Sequence, residues 1–130
     1  MKIVIILLIL VNFSYADFNQ NKINEVLSGL ASNNPLKFYS ENSNIKLSKS
    51  IKSPSKRDAQ ILITDASNLN KAIIVSSYKA LKTNEKSIGA IYSRKGRTQI
   101  VFIKERLDKY GIVLVKKLRK HLVTLEQLNP

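Results

Sequence analysis

The amino-acid sequence predicts one small α/β domain, in which a mixed sheet of about five strands includes a β-hairpin in the C-terminal half and is flanked by helices. Two runs of branched apolar residues, 60–64 (QILIT) and 72–76 (AIIVS), are separated by polar residues and have the composition of buried strands. Residues 88–103 show the pattern of two paired strands with apolar residues on both faces. Helical spacing precedes and follows these strands, and such alternation is typical of two- or three-layer α/β folds.

The first sixteen residues have the features of a signal peptide. Lys2 precedes an eleven-residue, mainly apolar run at residues 3–13, and Ser14-Tyr15-Ala16 forms a small-x-small cleavage site. Because the run is shorter than the roughly 20 residues of a membrane-spanning helix, a retained anchor is the less favoured alternative. We therefore expect residues 1–16 to be removed, residues 17–130 to form a single domain, and the product to be periplasmic.

The chain is strongly basic, since 22 Lys and Arg residues against 9 Asp and Glu residues give a formal net charge of +13. Such a surplus is compatible with nucleic acid, an anionic membrane face or an acidic protein as partner. The lysines are dispersed, which favours the composition of an AT-rich genome over a dedicated polyanion site. No basic strand is interleaved with aromatic residues, so a nucleic-acid partner is not expected. The lack of cysteine excludes disulfides and thiolate zinc sites.

In the N-terminal half, residues 21–33 carry apolar side chains at helical spacing and predict an amphipathic helix that stops before Pro35. Residues 36–39 predict a short strand between this proline and a polar loop. Residues 45–47 predict a second short strand or an extended segment. Residues 48–58, with their Lys-Ser repetition and a proline, predict a surface loop.

In the C-terminal half, residues 78–84 predict a short helix that leads into the hairpin. The hairpin turn is placed at residues 94–97, where Gly96 supplies the positive φ that a tight turn needs, and the hairpin is expected at the sheet edge. Residues 104–110 predict a helix that ends at Gly111 in the left-handed conformation. Leucines at helical spacing predict a final helix across residues 115–128.

Polar residues follow the two buried strands, and they are the candidate ligand-binding residues. Thr64 and Asp65 follow the first strand, and Ser76, Ser77 and Tyr78 follow the second. Ligands of open α/β sheets bind at the carboxyl ends of the strands. The serine hydroxyls and backbone N–H groups are suited to an anion at the start of the next helix. The alternative is that Ser76 or Ser77 caps this helix and Asp65 closes a turn.

The sequence offers little for catalysis. The sole histidine, His121, lies among leucines and cationic residues of the predicted last helix and is expected at the surface or its boundary. No carboxylates have acid–base or metal-ligand spacing, and the four glycines stand apart, so no phosphate-binding loop is present. We expect a protein that is not an enzyme, with no catalytic residue, metal site or cofactor.

A family resemblance is carried by the hairpin and the elements after it. Its residues are Ile88-Gly89-x-Ile91, Gly96, Ile100-x-Phe102, Leu107, Gly111-Ile112, Leu114 and Leu118. This block resembles the C-terminal half of the YfiR-like family of periplasmic proteins, and with QILIT and AIIVS the resemblance covers residues 60–120. Lys104 replaces the asparagine of the family, and its cysteines have no counterpart here. The resemblance implies an exported regulator that binds and restrains a membrane-anchored signalling protein, for example a cyclic-di-GMP synthase.

Three functional hypotheses follow. The first is a non-catalytic periplasmic regulator or adaptor that binds a protein partner at the inner membrane. The second is a module that binds a small anion or solute at the same strand ends and is related to transport-associated binding proteins. The third is attraction of the cationic surface to anionic lipid or lipopolysaccharide, which salt would weaken.

Overall fold

A computed structural model describes residues 18–66 and 70–128, so the predicted signal peptide and its cleavage site lie outside the described residues. The helices are α1 (Gln20–Ser28), α2 (Tyr78–Thr83), α3 (Lys104–Lys109) and α4 (Leu125–Leu128), and a 3-10 helix spans Lys116–His121. The strands are β1 (Leu30–Ala31), β2 (Phe38–Ser40), β3 (Ile61–Ile63), β4 (Ala72–Val75), β5 (Ser87–Arg94), β6 (Arg97–Ile103), β7 (Val113–Leu114) and β8 (Leu122–Val123).

The main sheet is mixed and has the strand order β2-β3-β4-β5-β6-β8. Strands β2 to β5 are parallel, β6 is antiparallel to β5, and β8 is parallel to β6. Strands β1 and β7 form a separate antiparallel pair. The predicted α/β class with a mixed sheet is confirmed, with six strands in the main sheet of the described chain instead of about five.

The predicted β-hairpin is present as β5 and β6. Arg94 pairs with Arg97, and Lys95 and Gly96 between them have φ values of 52° and 76°. Two positive φ values in a two-residue loop define the type I′ turn, which matches the twist of the strands. Because Val75 at the end of β4 pairs with Ala90, β5 continues four residues beyond its neighbour. The hairpin therefore extends past the carboxyl edge of the parallel strands.

The core lies on both faces of the main sheet. On one face, Ile23 and Leu27 of α1 belong to an apolar cluster that includes Phe38 and Phe102. On the other, Leu81 of α2 and Leu128 of α4 join a second cluster. The second cluster also contains the following buried residues of the strands: Leu62, Ile73, Val75, Ala90 and Ile103. Helices thus cover both faces, which explains why the central strands are apolar on both sides.

The predicted final helix at residues 115–128 is wrong. Three elements replace it: the 3-10 helix, β8 and the single turn of α4. Leu122 of β8 pairs with Phe102 of β6, so β8 takes the sheet edge that was predicted for the hairpin. The leucines at helical spacing still face the core, since Leu118 and Leu128 are buried. Pairing with the outer backbone groups of β6 competes with intrahelical bonding, and β-branched Val123 and Thr124 favour the extended form.

Two N-terminal predictions also need correction. Helix α1 ends at Ser28 rather than at residue 33, because Leu30 and Ala31 pair with β7. Within the predicted surface loop 48–58, Ile51 is buried because its backbone lies along β2. The N–H group of Phe38 donates to the carbonyl of Ile51 at 2.8 Å. This loop covers the outer edge of β2, and residues 45–47 form no ladder of their own.

Arg106 of α3 joins the two helices that flank β5. Its side chain is buried, and Nη1 donates to the carbonyl oxygens of Leu81 at 2.7 Å and Ser87 at 2.9 Å. The carbonyl of Asn84 lies 3.1 Å from the same nitrogen. These carbonyls follow the last turn of α2, where backbone acceptors lack helical partners, so the guanidinium group satisfies them.

Candidate binding site at the carboxyl edge of the parallel strands

A cleft lies where the parallel strands β2, β3 and β4 end. Its volume is about 310 Å³, and Ile63 and Ile74 form its apolar part. The polar side chains that line it are those of Glu41, Asn42, Ser43, Thr64, Asp65 and Ser76. This is the edge of an α/β sheet at which ligands bind, so the structure brings Thr64, Asp65 and Ser76 together as the sequence predicted.

Asp65 and Ser76 are hydrogen-bonded to each other across the cleft. Oδ1 of Asp65 accepts the backbone N–H of Ser76 at 2.8 Å, and Oδ2 accepts the Ser76 hydroxyl. Asp65 comes from the end of β3 and Ser76 from the end of β4, so this pair joins the two strands beyond their last ladder bond. Both donors of Ser76 are thereby used within the protein.

Glu41, which follows β2, is the second carboxylate of the cleft. Lys56 Nζ lies 3.2 Å from its Oε1, and the backbone N–H of Glu41 donates to the carbonyl of Ile63 at 2.9 Å. The hydrogen bond from Lys56 and a second from the Thr64 hydroxyl lower the pKa of Glu41. The carboxylate is exposed, so this ion pair orients the side chain more than it stabilises the fold.

Ser77 and Tyr78 lie beside the cleft and not in its lining. Ser77 is the N-cap of α2, because its Oγ accepts the backbone N–H of Ala80 at 3.0 Å. This agrees with the capping alternative. Tyr78, the first residue of α2, is 38% exposed, and its ring centroid lies 6.3 Å from that of Tyr92 at an angle of 65°. Lys82 Nζ lies 6.0 Å from the centre of the Tyr78 ring.

Sequence reasoning missed Glu41 and Tyr92. Glu41 was placed in a polar loop after the first strand, and only the parallel pairing of β2 with β3 brings it to the cleft. Tyr92 belongs to the part of β5 that continues beyond β4. A sequence signal for Tyr92 was available, since alternation along β5 puts it on the same face as Ala90.

His121 is buried, which corrects its predicted position at the surface or its boundary. It ends the 3-10 helix, and Nδ1 donates to the carbonyl of Ile100 at 2.9 Å. Burial lowers its pKa, nearby Lys22 and Lys120 act in the same direction, and the Ile100 hydrogen bond opposes them. The position follows from β8, because pairing with β6 draws the preceding residue against Ile100.

Within residues 18–66 and 70–128, no three His, Asp or Glu side chains are close enough to hold a metal ion. None of the helices in these ranges has the length and apolar composition needed to cross a bilayer. Comparison with protein-family models, curated proteins and solved structures gives no significant match to this chain. The YfiR-like resemblance therefore stays a hypothesis.

Proposed function

We propose that the chain is an exported, non-catalytic regulatory or adaptor protein that binds a membrane-associated signalling protein. The contact surface is the carboxyl edge of β2, β3 and β4 together with the aromatic pair beside it. The observation that carries the proposal is the exposed ring of Tyr78, which lies edge-on to Tyr92 two residues after the cleft residue Ser76. An exported regulator is also what the YfiR-like resemblance implies.

The aromatic pair is suited to contact with another protein. Tyrosine is enriched at protein interfaces because it supplies a large contact area and a hydroxyl group with only two side-chain torsions to fix. Here both rings stand on regular elements, Tyr78 on α2 and Tyr92 on β5, and each ring restricts the other. Little conformational entropy is then lost on binding.

The internal hydrogen bonds of the cleft support contact with a preformed polar surface. Asp65 fixes Ser76, and Lys56 with Thr64 fixes Glu41. The outward-facing groups are held in place before a partner arrives, as in the polar rim of an interface.

The alternative proposal, binding of a small anion or solute, has less support from the same contacts. Two carboxylates line the cleft, and both donors of Ser76 are engaged by Asp65. Helix α2, whose N-terminus was expected to attract an anion, has six residues and is capped by Ser77. A thermal-shift screen separates the proposals, because a solute at 100 times its Kd raises stability by roughly 2.7 kcal/mol.

Affinity purification from the periplasm after gentle crosslinking tests the main proposal. We expect one discrete membrane protein to be recovered with the chain. Recovery of no membrane protein, combined with a solute that raises the Tm, would replace the proposal with the solute-binding alternative.

A further inference from the structure

The segment between Asp108 and Glu126 contains no acidic residue and is rich in exposed cations. The exposed basic residues of this segment are Lys109, Lys116, Lys117, Arg119 and Lys120. In the part of the chain that the structure describes, the two ion pairs are Lys56–Glu41 and Lys104–Asp108, so none of these five cations is paired with a carboxylate. Their charge is directed to the solvent.

The same segment exposes apolar side chains. Val113 is 65% exposed, more than any other large apolar residue of the described chain, and Tyr110 and Val115 are 38% and 37% exposed. Val113 and Val115 are two residues apart in an extended stretch, so they point to the same side, while Leu114 between them is buried. Exposed aliphatic side chains and unpaired cations therefore alternate along one short segment.

A groove connects the apolar and the cationic parts. It has a volume of about 470 Å³, and its lining includes Val113 and Arg119. Its apolar lining is completed by Leu107, Ile112, Leu114 and Leu122. Of the charged residues at this groove, Lys104 and Asp108 are paired at 2.9 Å, which leaves the guanidinium group of Arg119 as the net charge.

We propose that residues 109–120 form a lipid-docking face that binds the surface of an anionic phospholipid bilayer. Lysine and arginine side chains near such a surface are attracted to the negative headgroups. Tyr110 lies at the level of the headgroups, and Val113 and Val115 enter the boundary between headgroups and acyl chains. Arg119, at the rim of an apolar groove, is placed to bind a headgroup phosphate with two N–H donors.

Charge complementarity selects a bilayer, and the exposed valines favour it over nucleic acid. Aliphatic side chains gain nothing from a phosphate backbone, and the face carries one aromatic ring where a single-strand binder needs several for stacking. The face uses none of the residues of the carboxyl-edge site. It also needs no protein partner, so this proposal can fail while the proposed function stands, and the reverse.

Vesicle co-sedimentation tests the proposal with the chain as it is recovered from cells. The probes are vesicles of phosphatidylcholine alone and vesicles with about 30% phosphatidylglycerol, at salt from about 50 mM to about 500 mM. We expect binding to the anionic vesicles to exceed binding to the neutral ones by about ten-fold or more at low salt, and to fall steeply as salt rises.

Matched charge reversals locate the binding face. Lys116→Glu with Lys117→Glu should lower the partition coefficient by about ten-fold. Lys49→Glu with Lys52→Glu changes the net charge equally, at exposed positions outside the face, and should lower it by about two-fold. Val113→Ser should reduce the binding that persists at high salt, and Val113→Leu should preserve it. Because all variants share one N-terminus, its contribution cancels in the comparison.

Three results would overturn the proposal. Equal losses in the two double variants would assign binding to net charge alone. Equal binding to neutral and anionic vesicles would remove the role of the cations. Binding of a DNA duplex through Lys116 and Lys117, with no binding to vesicles, would make nucleic acid the partner of this face.

Discussion

Both oxygens of the Asp65 carboxylate accept hydrogen bonds from Ser76, one from its backbone N–H and one from its hydroxyl. The two residues follow adjacent parallel strands, so the pair fixes the edge at which we place the binding surface. It also withdraws the donors of Ser76 from any incoming anion. This relationship is the main reason to prefer a protein partner over a small anionic ligand.

A double-mutant cycle tests the coupling between these residues. Asp65→Ala and Ser76→Ala should each lower the free energy of unfolding by about 1 kcal/mol, because each change removes the side-chain hydrogen bond between them. Since both variants lose the same contact, the double variant should be only slightly less stable than either single one. Urea denaturation measures all four proteins. Additive losses would show that the residues act separately.

The pH dependence of stability should report on His121. Its pKa in the folded chain is lowered, by burial first and then by Lys22 and Lys120. The unfolded chain therefore takes up a proton first as the pH falls. The contribution of the neutral imidazole is complete above about pH 6.5 and is lost as the pH falls from there through the folded-state pKa.

The variant His121→Asn supplies the control for this pH effect, because its amide keeps a donor for the Ile100 carbonyl and does not titrate. Tm values of the two proteins should diverge between about pH 7 and pH 5, with the wild type losing more. Parallel curves would contradict the assignment. Glu41 does not interfere, because its lowered pKa places its own effect below 4.5.

Arg106 should be among the most sensitive charged positions. Arg106→Ala leaves the carbonyls of Leu81 and Ser87 without their donor in a buried position, and should lower the free energy of unfolding by about 2 to 4 kcal/mol. Lys109→Ala, at an exposed position of the same helix, should change it by less than about 0.5 kcal/mol. Chemical denaturation distinguishes them, and equal effects would show that the Arg106 contacts contribute nothing.

The sequence was sufficient where the determining signals are local. The hairpin could be predicted because Gly96 has the conformational freedom that its turn requires, and Gly111 marks the end of α3 in the same way. The fate of residues 115–128 could not, because Leu122 leaves the helical pattern only to pair with Phe102, twenty residues earlier. A pairing of this kind depends on strand order, which local patterns do not specify.

The candidate site shows the same division. Thr64, Asp65 and Ser76 were found because each follows a run of buried strand residues. Glu41 was missed, since its place depends on β2 lying beside β3. The role of Ser77 as a cap was one of two alternatives, and the hydrogen bond from Ala80 decides between them.

Export can be tested without knowledge of a partner. If residues 1–16 are a signal peptide, the chain recovered from the periplasm should begin at Asp17, and intact-mass spectrometry should show the loss of exactly these sixteen residues. Ala16→Leu, which removes the small residue at the cleavage site, should leave uncleaved precursor in the membrane fraction. Uncleaved wild-type chain at the membrane would favour the retained anchor.

Partner recovery with two matched tyrosine variants tests the central claim, contact at the carboxyl edge, most directly. Tyr78 and Tyr110 are each 38% exposed, but only Tyr78 lies in the aromatic pair beside the cleft. Tyr78→Ala should reduce the crosslinked membrane partner by about ten-fold or more, as expected for an aromatic interface residue, and Tyr110→Ala should leave its yield unchanged. Equal yields from both variants, with both proteins folded, would contradict the claim.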